Sequence, residues 1–170
     1  ENGQAAWLYV ERRGITVDVA TEFGLGYAPD TWNSLLKWGE CSGYSRQAIT
    51  AAGLIIEKEG TDHCYDRFRG RLMFPISDEL GRVVGFSGRL IADASAAKYI
   101  NTPETAVFRK NRLLYGLDRA RQQLREQGEA VVCEGQLDVI ACHRAGVTQA
   151  VAPQGTAFTE AHARMLRRYT

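Results

Sequence analysis

An acidic motif at the end of a predicted strand carries the residue types that a magnesium-dependent reaction needs. The β-favouring residues 131–133 come first, Glu134 and Gly135 follow, and Asp138 lies four residues after Glu134. Where the chain turns from strand to helix at Gly135, both carboxylates can face one space above the strand end. Magnesium takes one or two carboxylates together with water and substrate phosphates. The motif therefore predicts Glu134 and Asp138 as metal ligands; the alternative is that they only complement the dipole of the following helix.

Basic residues concentrate in the middle third of the chain, where a polyanion can bind. The whole chain has a net charge of +1, but residues 63–112 contain nine basic and five acidic residues. Within them Arg67, Arg69 and Arg71 recur at every second position, so on an extended chain they would share one face. Guanidinium groups match phosphate oxygens with forked donors. The spacing predicts a row of arginines along a nucleic-acid backbone, and the alternative is a solvated face without a ligand.

A polar segment after these arginines is dense in groups that bind phosphates and bases. Lys98 and Lys110 are candidate point charges for a triphosphate. Asn101 can offer amide hydrogen bonds, and Tyr99 can stack on a base or sugar. Taken alone, residues 98–105 predict an ordinary turn-forming loop, so this interpretation depends on the motifs around it.

Short helices and a small sheet are expected to position these residues. Thr16, Asp30 and Ser45 precede apolar residues at helical spacing, which predicts them as N-caps of short helices. Three strand-like runs then predict a small sheet, with a hairpin turn at residues 78–81. These runs are residues 54–58, 71–76 and 83–90. Helical spacing resumes at residues 113–128 and ends at a glycine.

Strand and helix alternate in the last part of the chain, which predicts a parallel sheet. The expected elements are a strand at 130–133, a helix at 136–145, a strand at 149–152 and a helix at 159–168 capped by Thr159. The loop at 154–157 then lies on the same sheet edge as Glu134 and can line the same cleft. The predicted fold class is an α+β N-terminal subdomain of short helices and a small sheet over residues 1–128, followed by a truncated α/β subdomain with a parallel βαβα order over residues 129–170.

Composition and cysteine spacing exclude several classes of protein. Apolar residues make up 45% and charged residues 24% of the chain, as in ordinary soluble domains, so neither a disordered nor a membrane protein is indicated. The four cysteines form no Cys-x-x-Cys pair, which argues against a zinc ribbon or a small disulfide scaffold. No signal peptide or transmembrane segment is predicted. We therefore expect a cytoplasmic location and no membrane partner.

Several short motifs follow one another in a fixed order along nearly the whole chain. They are Arg13-Gly14, FGLGYAP at 23–29, YDRFRGRLMFPI at 65–76, GFSGR at 85–89, KYINTPET at 98–105 with Phe108 and Lys110, LYG at 114–116, and Glu134-Gly135 to Asp138 with GTA at 155–157. Together they resemble the bacterial-type (DnaG-like) DNA primases. Each motif alone is weak, and their order makes the resemblance strong.

The resemblance implies a catalytic core with a basic N-terminal subdomain over residues 1–128 and part of a TOPRIM subdomain over residues 129–170. Such primases are DNA-dependent RNA polymerases that make short RNA primers on single-stranded DNA. On the matching positions, the implied sites are Glu134 in catalysis and, with Asp138, at the metal; Lys98, Tyr99, Asn101 and Lys110 at the nucleotide; and Arg67, Arg69, Arg71 and Arg89 at nucleic acid. The implied cofactor is Mg²⁺ or Mn²⁺, without zinc in this chain.

The implied partners are a single-stranded DNA template, the RNA–DNA heteroduplex and ribonucleoside triphosphates, with a replicative helicase bound through regions outside this chain. The family's Asp-x-Asp pair would follow Thr170, and its zinc-binding module would precede residue 1. Two carboxylates with water should hold magnesium weakly, so we expect this chain alone to be nearly inactive in primer synthesis. Two alternatives stay open: a piece of another TOPRIM protein, such as a topoisomerase or nuclease, and a non-catalytic nucleic-acid-binding module.

Overall fold

Two compact units make up the computed structural model, which describes residues 3–92, 96–155 and 157–170. Unit 1 comprises residues 1–74 and 87–106, and unit 2 comprises residues 75–86 and 107–170. Short helices and small sheets form both units, in agreement with the predicted mixed fold class. The predicted sequence boundary at residue 128 stays a prediction.

Four short helices lie in the first part of unit 1. They are α1 Gln4–Arg12, α2 Val17–Glu22, α3 Ser34–Cys41 and α4 Arg46–Ala51. Two predicted N-caps are confirmed, because the Thr16 hydroxyl accepts a hydrogen bond from the Val19 N–H and the Ser45 hydroxyl accepts one from the Ala48 N–H. Cap preferences are local, which is why sequence alone found them.

The predicted cap at Asp30 is wrong. Helix α3 begins after Asn33, whose side chain makes no capping bond. The carboxylate of buried Asp66 caps the helix instead, since it accepts the Leu35 N–H at 2.7 Å and the Leu36 N–H at 3.0 Å. A cap supplied from a residue 31 positions away leaves no local sequence signal.

Two sheets contain the six strands that lie between residues 26 and 101. These strands are β1 Gly26–Ala28, β2 Ile55–Glu57, β3 Cys64–Asp66, β4 Arg71–Ser77, β5 Val83–Leu90 and β6 Tyr99–Asn101. One sheet has the order β1-β4-β5-β6 and the other pairs β2 with β3. The predicted strands at 54–58, 71–76 and 83–90 are confirmed to within two residues. The hairpin turn is also confirmed, since the Gly81 N–H donates to the Asp78 carbonyl at 3.0 Å.

The predicted loop at residues 98–105 is wrong over its first part. Residues 99–101 form β6, which pairs antiparallel with β5 so that Tyr99 lies opposite Arg89 and Asn101 opposite Ser87. Polar composition suggested a loop, but the backbone of β5 supplies the hydrogen-bonding partner that makes this segment a strand.

The βαβα order predicted for the end of the chain is confirmed in unit 2. After a 3₁₀ helix at Lys110–Arg112, the elements are β7 Leu114–Tyr115, α5 Leu117–Gln127, β8 Val131–Val132, α6 Gln136–Arg144, β9 Ala150–Pro153 and α7 Glu160–Leu166. Strands β8 and β9 are parallel, and β7 pairs with β9 in the antiparallel sense. The apolar faces of α5 and α7 pack with Val151 into a core that includes Leu124 and Met165. The Thr159 hydroxyl caps α7 as predicted.

The helix predicted to begin at Leu113 begins instead at Leu117. Leu114 and Tyr115 pair with β9, and Gly116 takes a φ of +79°, in the left-handed region. A Cβ at Gly116 would also lie 2.9 Å from the Val139 side chain. The apolar residues fit both a helix and a short strand, and contact with β9 decides between them. None of the helices in the described ranges has the length and apolar character that a membrane crossing requires.

Candidate functional site

The acidic motif lies at the carboxyl end of strand β8, as predicted. Glu134 is exposed and directly precedes Gly135, the N-cap of α6. Gly135 is extended, with a φ of −152°, so the turn does not use the left-handed freedom of glycine. The Asp138 carboxylate accepts the Gly135 N–H at 3.1 Å. Asp138 therefore caps the helix, which is the alternative role that the sequence left open for it.

The donor chemistry of this strand end fits a hard divalent cation. Glu134 and Asp138 offer carboxylate oxygens, and Mg²⁺ completes such sets with water and phosphate oxygens. Within residues 3–92, 96–155 and 157–170, no cluster of three or more His, Cys, Asp or Glu side chains is arranged to hold a metal. The two carboxylates would be part of a coordination shell, and the remaining ligands would come from elsewhere.

Residues on both sides of Glu134 in the sequence form side-chain pairs with more distant residues. The buried side chains of Gln136 and Gln154 are joined by a hydrogen bond of 3.1 Å, which ties the start of α6 to the end of β9. Of the loop predicted to line the cleft, Thr156 lies outside the described residues. The Cys133 and Cys142 sulfurs are 3.8 Å apart, and burial together with this contact raises the pKa of Cys133 to about 11. Cys133 is therefore a neutral thiol at neutral pH.

The three arginines at alternate positions do not form a row on one face, so that predicted geometry is wrong. Residues 67–70 are not a strand, and Gly70 has a φ of +59°. Tertiary contacts separate the side chains. Arg67 donates from Nε to the Gly53 carbonyl at 2.8 Å, and burial lowers the pKa of its guanidinium. Nucleic-acid binding by Arg67 stays a prediction.

Arg71 is buried and holds backbone. Its Nη1 lies within hydrogen-bonding distance of the carbonyl oxygens of Gly88 at 3.1 Å, Ala97 at 3.0 Å and Lys98 at 3.4 Å. Burial lowers the pKa of the Arg71 guanidinium, and the positive charge of Arg69 lowers it further. Through Nη1, Arg71 holds the backbone that leads into Lys98. Nucleic-acid binding by Arg71 stays a prediction.

Gly88 makes room for the Arg71 side chain. A Cβ at Gly88 would lie 2.7 Å from the Phe68 ring, 3.0 Å from the Arg71 Cδ and 3.3 Å from the Met73 sulfur. Real Cβ atoms do not approach other atoms at the first of these distances, so only glycine fits here without movement. The second glycine of the GFSGR motif, Gly88, is thus required for packing against Arg71 on the neighbouring strand β4.

Arg69 is the member of the trio that stacks on aromatic rings. Its guanidinium lies 4.3 Å from the centre of the Trp32 ring and 5.0 Å from that of Tyr65. It also donates from Nη1 to the Asp66 carbonyl. Cation–π attraction to the two rings holds the Arg69 side chain in place, and the residue is half-buried there.

Arg89 forms a second cation–aromatic cluster, on the edge formed by β5 and β6. Its guanidinium lies 4.3 Å from the Tyr9 ring centre and 5.2 Å from that of Tyr99, and Nη1 donates to the Tyr99 hydroxyl at 2.9 Å. The Arg13 guanidinium lies 5.1 Å from the centre of the same Tyr9 ring. Burial raises the pKa of Tyr9, against the opposing charges of Arg89 and Arg13. The predicted residues Arg89 and Tyr99 are thus in direct contact.

The predicted nucleotide-binding residues lie in both units. Lys98 is exposed just before β6, and Asn101 is half-buried within that strand. Gly53 packs against the turn that follows, where a Cβ would lie 2.6 Å from the Pro103 ring. The backbone of Lys110 is held in unit 2 by the buried ring of His162.

The contacts of His162 define its tautomer. Its Nδ1 accepts the Thr159 N–H at 3.2 Å, so the ring proton is on Nε2, and Nε2 donates to the Lys110 carbonyl at 3.1 Å. A neutral histidine therefore fixes the start of the 3₁₀ helix that carries Lys110.

Sequence analysis missed five residues that organise these sites. They are Tyr9, Trp32, Asp66, Gly88 and His162. Four of them act through residues far away in the chain, so spacing carried no signal for them. Trp32 could have been noticed as an aromatic residue in a polar, turn-forming stretch, DTWNS at 30–34, rather than on an apolar helical face.

Two family models match the chain. The model described as the N-terminal domain of the DNA primase catalytic core matches residues 1–121, and the model described as the Toprim domain matches residues 128–170. The DNA primase of Deinococcus radiodurans is 52% identical over 160 residues, which are 94% of this chain and 28% of that relative. This chain thus spans about a quarter of the length of that curated relative.

Solved structures of similar chains agree closely with this fold. The RNA polymerase domain of the Mycobacterium tuberculosis primase DnaG, in complex with a double-stranded DNA oligomer with a 6-nucleotide overhang, matches with a TM-score of 0.94 at 41% identity, over 99% of this chain and 53% of that chain. A DnaG primase catalytic domain bound to ssDNA matches with a TM-score of 0.87 at 42% identity, over 98% of this chain and 51% of that chain.

Proposed function

We propose a function for this chain from one premise: it belongs to the DNA primase catalytic-core family. The function is that of one part of a DNA-dependent RNA polymerase, and the whole protein would make short RNA primers on single-stranded DNA. We propose that residues 1–128 form the N-terminal subdomain of that core and residues 129–170 part of its TOPRIM subdomain. A topoisomerase or nuclease is not favoured, because the family match over residues 1–121 is specific to primases.

The observation that carries the proposal is the stacking of two arginines on aromatic rings, whereas Arg71 is buried against backbone carbonyls. Arg69 and Arg89 present guanidinium groups stacked on aromatic rings, and Lys98 is exposed beside the second cluster. Charge combined with aromatic faces is the composition that binds single-stranded nucleic acid, since phosphates and bases are both accessible in a single strand. A solved relative with the same fold was bound to ssDNA.

The chemistry assigned to the remaining residues follows from their donors. Lys98 and Lys110 would neutralise charge on a bound ribonucleoside triphosphate, and Asn101 would offer amide hydrogen bonds to it. Glu134 and Asp138 would hold Mg²⁺ or Mn²⁺ with water and phosphate oxygens. Such an ion, when bound, stabilises charge on the attacking and leaving oxygens of phosphoryl transfer. Glu134, which is exposed, would also accept a proton from a reacting hydroxyl.

We further propose a cytoplasmic location and a helicase partner for the whole protein, as in replication. With two carboxylates at the metal, this chain by itself should yield little or no RNA from ribonucleoside triphosphates on single-stranded DNA. Normal primer synthesis by the 170-residue chain would contradict that incomplete metal site.

Titration with a ribonucleoside triphosphate and Mg²⁺ tests the nucleotide role directly. We expect Lys98→Ala and Lys110→Ala each to weaken binding by about tenfold to a hundredfold, because each removes a charge-assisted contact worth roughly 1.5–3 kcal/mol. The matched control is Lys37→Ala, which removes the same charge from an exposed position on α3. Equal affinities for all three variants would overturn the assignment of the two lysines.

A further inference from the structure

A buried histidine on α7 makes hydrogen bonds through both of its ring nitrogens. His162 is 0% exposed, and its Nδ1 accepts the Thr159 N–H at 3.2 Å, which completes the cap of α7. Its Nε2 donates to the Lys110 carbonyl at 3.1 Å, across 52 positions of the chain. The cap of α7 needs only the first of these bonds, so capping does not explain the second.

The short helix that begins at Lys110 depends on contacts from outside itself. It spans Lys110–Arg112 and is closed by a hydrogen bond of 2.9 Å from the Arg112 N–H to the Arg109 carbonyl. Because 3₁₀ hydrogen bonds have poor geometry, so short a helix is not stable by its own bonds. The ring of His162 supplies an outside contact at its first residue.

The His162 ring is itself firmly held, so it can fix what it binds. Its centre lies 5.7 Å from that of the Phe158 ring, and the Thr159 hydroxyl accepts the His162 N–H at 3.3 Å. On the same helix, Met165 and Leu166 are buried in a core cluster of unit 2. The bond from Nε2 therefore ties the backbone of Lys110 to that core.

We propose that His162 is a positioning residue for nucleotide binding, which fixes the backbone of Lys110 so that its ammonium group can meet a triphosphate. This inference rests on the proposed function, in which Lys110 neutralises charge on a bound ribonucleoside triphosphate. A lysine loses rotamer freedom when it binds a phosphate, and a mobile backbone would add to that cost. With the backbone already fixed, the cost is confined to the side chain.

Two substitutions that carry the same amide group separate the donor from the rest of the side chain. In His162→Gln the amide is long enough to donate to the Lys110 carbonyl, and glutamine is an ordinary capping-box residue at this position of a helix. In His162→Asn the amide is one methylene shorter and does not reach. We expect His162→Asn to weaken binding of ATP with Mg²⁺ about tenfold, in keeping with the loss of one hydrogen bond, and His162→Gln to retain most of the affinity.

A double-mutant cycle shows whether the loss passes through Lys110. In the Lys110→Ala background, His162→Asn should cause no further loss of ATP affinity, because the charge that it positions is gone. In the Lys98→Ala background it should again weaken binding about tenfold, since the Lys98 carbonyl is held by the Leu90 N–H at 2.8 Å. A histidine that only stabilised the fold would lower the affinity equally in both backgrounds.

Each outcome decides a different point. A wild-type chain that does not bind ATP, or a Lys110→Ala chain that binds it as well as the wild type does, overturns the proposed nucleotide role and this inference with it. If Lys110→Ala weakens binding while His162→Asn does not, or if His162→Asn loses affinity equally in both backgrounds, the positioning role alone is overturned.

NMR of the ring nitrogens in the wild-type chain decides if His162→Asn fails to fold. The Nε2–H signal of His162 should shift when ATP and Mg²⁺ are added, and it should stay in place in Lys110→Ala at the same ATP concentration. His143 is the internal control, because its Nε2 donates to the Ala150 carbonyl at 2.9 Å. A His162 signal that shifts no more than that of His143 overturns the proposal.

Discussion

The segment from Asp66 to Arg71 and the turn from Cys133 to Asp138 both concentrate charged side chains, but they position them by different means. In the first segment, Asp66 and Arg71 bind backbone groups 31 and 17 positions away. In the second, Asp138 binds a backbone N–H three positions away. Charged groups in the first segment therefore depend on the tertiary structure of unit 1, whereas the turn needs only its own strand and helix.

The largest effect expected from this difference is a loss of stability on removing Asp66. Asp66→Ala leaves the Leu35 and Leu36 N–H groups without their acceptor in a buried position, which should lower the free energy of unfolding by about 3 kcal/mol. Asp138→Ala removes one exposed capping bond and should cost about 1 kcal/mol or less. Urea unfolding of both variants measures the contrast, and equal losses would remove the distinction between the two segments.

A smaller effect is expected at Gly88, which gives Arg71 and Phe68 their space. Gly88→Ala places a methyl group 2.7 Å from the Phe68 ring, and overpacking of this kind costs about 1–3 kcal/mol. Gly26→Ala on β1 is the matched control, because a Cβ there meets nothing within 4 Å. Thermal unfolding should separate the two variants, and a Gly88→Ala chain as stable as Gly26→Ala would mean that Arg71 is not confined as described.

The smallest effect concerns the thiol beside Glu134. Burial and contact with Cys142 raise the pKa of Cys133 to about 11 from an ordinary value of 9.0, so the folded state keeps the proton more firmly than the unfolded state does. The stability that this group contributes is fully present below pH 9 and is lost as pH rises towards 11. Site-resolved alkylation should show Cys133 reacting slowly at pH 8 and faster through that window, with exposed Cys41 as the control. A Cys133 as reactive as Cys41 at pH 8 would contradict the raised pKa.

The sequence predicted the features that depend on nearby residues and did not predict those that depend on residues far away in the chain. The βαβα order, the Thr159 cap and the place of Glu134 at a strand end depend on neighbours within a few residues, and all were predicted to within one or two positions. The roles of Arg67, Arg69 and Arg71 depend on Gly53, Trp32 and Gly88, which no spacing connects to them. Period-two spacing assumed an extended chain, and the turn at Gly70 breaks that assumption. The resemblance found the right family because it used the order of whole motifs and not the geometry of any one.

The salt dependence of single-stranded DNA binding tests most directly whether the ring-stacked arginines, Arg69 and Arg89, meet the phosphate backbone. For the 170-residue chain, we expect the double variant Arg69→Ala, Arg89→Ala to weaken binding and to reduce the slope of log affinity against log salt by about 1.4, since each phosphate contact with a single strand contributes roughly 0.7. The control Arg46→Ala, Arg82→Ala removes the same charge from two exposed ion pairs. A slope that stays unchanged in the first variant, or that falls equally in both, would contradict the account.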